Sequence, residues 1–132
     1  MSGAVLILSK HSQDSIEEKV FLAKNRALRE VLKDAKGNPL ISRDWIQSYL
    51  LAQEGGYQIT YQKTYDTFLI SINGSPFESV RQNAETKFLE IVGGDREIAC
   101  RFKVRVVTPA FANPALAGQE FPLNFCTSNL SK

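Results

Sequence analysis

Apolar and polar positions follow different periods along the chain, and each change of period predicts an element. Residues 3–9 form an apolar run of strand length. Ser15 precedes Glu18 by three positions, the spacing of a capping box. That spacing predicts a helix from Ser15 to about Lys36, with Ser12 as a second candidate cap and Gly37-Asn38-Pro39 as its stop. Ile16, Val20, Ala23, Ala27, Leu28 and Val31 fall on one broad face of it. Ser42 is positioned to cap a shorter helix over 43–53, with Trp45, Ile46, Tyr49 and Leu50 on its apolar side and Gly55-Gly56 at its end.

The period then drops to two. Tyr57, Ile59 and Tyr61 alternate with Gln58, Thr60 and Gln62, and Phe68, Ile70 and Ile72 form the matching return strand after a connection at 63–66. Ser75-Pro76-Phe77-Glu78 predicts a helix start, with Ser75 as cap, and Phe77, Val80, Ala84, Phe88 and Ile91 make its stripe. Residues 98–107 predict a last strand, with Phe102, Val104 and Val106 facing one way and Arg101, Lys103 and Arg105 the other. Beyond Pro109, large apolar residues stand among turn formers, as in an extended arm.

These elements give an α+β fold in the order β-α-α-β-β-α-β. Setting the second helix aside as an insertion leaves βαββαβ, the order of a ferredoxin-like antiparallel sheet with its helices on one face. A winged-helix arrangement also fits. The expected organisation is a domain over 1–109 and an extended C-terminal arm over 110–132, packing on the domain or on a partner.

Composition narrows the class. The 132 residues are 43% hydrophobic and 23% charged, which is ordinary for one globular domain. A net charge of +2 is too balanced to imply nucleic acid or membrane by bulk charge. No apolar stretch approaches the ~20 residues of a membrane span. No basic segment precedes the apolar run, and Lys10 follows it at once, so no secretory leader is expected. Cys100 and Cys126 then read as reduced thiols, and the location as cytoplasmic.

Candidate chemistry is sparse. His11 is the single histidine, and no spacing of His, Cys and Asp suits a metal. Gly55-Gly56 and Gly93-Gly94 follow expected helices, whereas a phosphate loop must precede one. The expectation is a protein that is not an enzyme and needs no cofactor or metal. Charge is segregated, however. Lys19, Arg26, Arg29 and Lys33 cluster within about 80° on the first helix, and Arg101, Lys103 and Arg105 make a second row. Tyr57, Tyr61 and Phe68 share faces with isoleucines, so they are expected in the core rather than as base-stacking platforms.

The functional expectation is a protein–protein interaction module, a small subunit or adaptor of a larger assembly. Its expected contacts are Phe111, Leu116, Phe121, Leu123 and Phe125 of the arm, against another protein or a second copy. The alternative is a sequence-tolerant nucleic-acid binder using the two basic rows.

Overall fold

The computed structural model describes the backbone of residues 2–126 and the side chains of residues 15–126. Helix α1 covers Ser2–Leu28, and a hairpin follows, β1 at Ser48–Glu54 and β2 at Tyr57–Gln62. Strand β3 is Thr67–Ile72, helix α2 Phe77–Ile91, a short helix α3 Arg96–Ala99, and strand β4 Val104–Val107. The class is α+β, as expected, but the order of elements is not.

The strands lie in the sheet as they do in the chain, β1-β2-β3-β4. The first three form an antiparallel meander, and β4 returns parallel to β3 after the α2 crossover. This replaces the split-βαβ order, which requires a strand before the first helix. Residues 3–9 are instead part of α1. An apolar run of that length fits either element, and no proline interrupts the segment, so the helix runs straight through the expected cap at Ser15.

The expected helix over 43–53 is also corrected. Tyr49-Leu50-Leu51-Ala52 has no clear period, because a bulge shifts the register between Leu50 and Ala52. Gly55 and Gly56, with φ of 55° and 86°, form the two-residue turn into β2 rather than a helix end. Ser42 closes a loop, donating to Asp44 Oδ1 at 2.9 Å and accepting from the Ser48 amide at 2.8 Å. The expected strand over 98–107 shrinks to β4, because Asp95 accepts from the Ile98 amide at 3.2 Å and starts α3.

The period-two segments behave as their pattern dictates. Tyr57 pairs with Ile72, Ile59 with Ile70 and Tyr61 with Phe68, so all six share one face. All six are buried there. Phe68 meets Phe88 of α2 at 5.2 Å between ring centroids and Phe102 at 5.3 Å. Ala23 and Ala27 of α1 complete the same core, their small side chains letting the helix sit close. Helix α2 begins at Phe77 with Pro76 in the cap position, one residue later than the expected Ser75 cap.

The segment after β4 packs on the domain through residue 126. Phe121 exchanges backbone hydrogen bonds with Val106 at 2.8 and 3.0 Å and touches the Phe77 ring. Leu123 is buried. Arg81 of α2 lies over both the Phe77 and Phe121 rings and donates to Pro122 O at 2.6 Å and to Glu85 Oε2 at 2.8 Å. Glu85 in turn accepts from the Asn124 amide at 2.8 Å. Burial pushes the Glu85 carboxyl up, against the pull of that amide and of Arg81. Cys100 and Cys126 are joined in a disulfide with Cα atoms 5.7 Å apart, which corrects the expectation of reduced thiols.

Candidate protein-binding surface

The surface is built on the C-terminal half of α1. At 100° per residue, Val20, Ala23 and Ala27 point to the core, which puts Phe21 and Leu22 on the outer side. They are 59% and 55% exposed, although a helix packed on a sheet ordinarily turns such residues inward. Each stands beside a groove.

One groove, of about 410 Å³, runs between α1 and the α2–α3 connection. Leu22, Ala23, Val92 and Ile98 give it an apolar lining, and Lys19, Arg26 and Arg29 line it with charge. None of these three cations has a carboxylate of a described residue within 4.0 Å. Lys24, Arg81, Lys87, Arg101 and Arg105, by contrast, are each paired. The Arg26 stem passes over Gly93, where a Cβ would stand in ordinary contact, 3.7 Å from its Cδ. Asp95 also lines the groove, but its carboxylate is occupied in starting α3.

The second groove, of about 330 Å³, lies on the other side of α1 and mixes signs. Arg101 and Lys103 meet Glu17 and Asp66 there, around Val20, Phe21 and Phe102. Lys24 pairs with Asp66 at 3.2 Å, and Asp66 accepts from the Tyr61 hydroxyl. That hydroxyl, with Lys24 behind it, holds the Asp66 carboxyl below the usual carboxylate range.

The two basic rows of the sequence therefore do not merge. Lys19, Arg26 and Arg29 converge on one groove, while Lys33 lies beyond the end of α1, bridged to Pro39. Arg101 pairs with Glu97 at 3.7 Å, Lys103 lines the second groove, and Arg105 pairs with Glu120 at 2.8 Å. Of the arm residues, Leu123 is buried and Leu116, Phe121 and Phe125 pack against the core. Phe111 stands apart at 80% exposure.

The sequence pattern identified the cations of the first groove and missed its apolar residues. A usable signal existed for each groove: Leu22, beside the first, and Phe21, beside the second, sit off the apolar stripe of their own helix. A further aromatic pair was also missed. Trp45, 68% exposed, meets Tyr65 edge-on at 5.7 Å. Their loops are fastened together by the Lys63 amide to Gln47 O at 3.0 Å and the Thr64 amide to Ile46 O at 3.2 Å.

A further hollow, about 670 Å³, is lined by Arg96, Glu97, Arg101, Phe125 and the disulfide-bonded Cys100. Among the described residues, no three of His, Cys, Asp and Glu converge as metal ligands, and no helix is long and apolar enough to cross a membrane. No family model, curated protein or solved structure matches the chain.

Proposed function

We propose that this protein is a non-catalytic protein–protein interaction module, a small subunit or adaptor that engages its partner through the outer side of α1. The observation that carries the reading is the pair Phe21 and Leu22, exposed on an anchored helix, each beside a groove lined with charged side chains. Large apolar side chains left out on a packed element mark contact surfaces more often than scattered ones do. Phe111 is the arm residue that remains available to the same end.

The nucleic-acid alternative has weaker support, since the basic residues divide between separate surfaces and the strand rings Tyr57, Tyr61 and Phe68 are in the core. The cytoplasmic location expected from two reduced thiols is weakened by the disulfide. With Cys100 and Cys126 joined, an oxidising compartment suits the chain better.

The test is the mass of the endogenous protein under native conditions. The wild type is expected to run in an assembly well above its own 14.8 kDa. A chain carrying Phe21→Glu and Leu22→Glu is expected to run as a monomer with an unchanged circular dichroism spectrum. A wild type that is itself monomeric overturns the reading.

A further inference from the structure

We infer that the groove between α1 and α3 docks an acidic amphipathic helix belonging to a partner protein. The inference rests on the interaction-module reading and names the partner's chemistry. Leu22, Val92 and Ile98 supply an apolar lining, which a helix fills with one stripe of side chains. Lys19, Arg26 and Arg29 supply positive charge alongside it, three cations against the single carboxylate of Asp95. An occupant must therefore be greasy on one side and anionic next to that side.

Spacing sharpens the match. Lys19 and Arg26 are seven residues apart on α1, two turns or about 10.5 Å along its axis. A helix lying alongside α1 meets both if its own carboxylates recur every seven residues. Apolar residues three and four positions after each carboxylate then face the groove. A polyphosphate chain fits less well, because it gains nothing from the apolar lining and the groove offers no ring for a base to stack on. An open groove beside an exposed helix also suits a macromolecular surface better than an enclosed small ligand.

The probe is a synthetic helical peptide with glutamate at every seventh position and leucine three and four positions after each. It is titrated into the disulfide-bonded 132-residue chain, with amide NMR locating the contact and calorimetry giving the affinity. The expected result is a set of shifts confined to residues 19–29, 92 and 98, with affinity falling as salt rises. Arg26→Glu is expected to weaken binding about tenfold, with the folded spectrum unchanged. A peptide with lysine in place of glutamate is expected to fail on the wild type and to recover affinity on a chain carrying Lys19→Glu and Arg26→Glu.

If the lysine peptide binds the wild type as well as the glutamate peptide, the inference is wrong. It is equally wrong if the shifts fall outside the groove, or if oligonucleotides occupy it and the peptide does not. A native assembly that persists while the peptide fails overturns the acidic-helix inference alone. A monomeric endogenous protein overturns the broader reading with it.

Discussion

At the scale of single residues, two carboxylates with opposite pKa shifts do different work. Glu85 is buried, bonded to Arg81 and to the Asn124 amide, and so ties α2 to the last described residues of the chain. Glu85→Ala leaves the Arg81 guanidinium buried with only the exposed Glu78, 3.3 Å away, as a counter-charge. Breaking a buried pair in this way costs about 3–5 kcal/mol, to be measured by denaturant unfolding. Loss below about 1 kcal/mol, the range of surface pairs, would show that the pair does not hold this junction. Asp66 is the converse case, a carboxylate held low by Tyr61 and Lys24. Its folded pKa is depressed, so its contribution is present above the unfolded pKa and disappears as pH falls through the folded one. Asn tolerates the left-handed backbone at this position, where φ is 49°, so Asp66→Asn isolates the charge. Thermal unfolding from about pH 5 to pH 2 should show a shallower decline in the variant than in the wild type. Identical slopes would remove Asp66 from the acid response.

At the scale of elements, the legible parts are those where local pattern and tertiary environment agree. Strands β2 and β3 and helix α2 each carry one apolar face, and each buries it. The failures have separate causes. Residues 2–14 carry an apolar run whose length fits two kinds of element, and only continuity with the rest of α1 decides between them. Strand β1 hides its alternation behind a bulge, although Gly55-Gly56 is a strong hairpin signal once Tyr49 to Glu54 and Tyr57 to Gln62 are seen as its two arms. Val92 and Ile98 enter the groove by tertiary packing, which no short-range period encodes. The glycine turn offers its own test. Gly56 has φ of 86°, and a Cβ there would lie 3.3 Å from Gly74 Cα at the entry to α2. Gly56→Ala should therefore cost at least about 1–2 kcal/mol for the left-handed backbone, and more if the loop before α2 must move. An unchanged melting temperature would mean that the turn relaxes into another geometry.

At the scale of the whole molecule, the Cys100–Cys126 bond converts an extended tail into part of the domain. It closes a segment with a sequence separation of 26, which in the chain-entropy description stabilises by about 3–4 kcal/mol. Adding a dithiol reductant should lower the melting temperature accordingly, and the Cys100→Ala, Cys126→Ala chain should match the reduced wild type. Equal melting temperatures with and without reductant would show that Arg81, Glu85 and Leu123 suffice to hold the tail. Both margins of the sheet meanwhile are covered at one point by isolated bridges from the same chain, Ile41 to Tyr49 of β1 and Phe121 to Val106 of β4. The second of these covers belongs to the segment that the sulfur bridge secures. Cutting the bridge thus does more than soften the molecule. It frees the Val106 amide and carbonyl that Phe121 covers at the edge of β4, and a bare strand edge is a template for fibrils, so reduced stocks should gain thioflavin fluorescence over days while oxidised stocks stay clear.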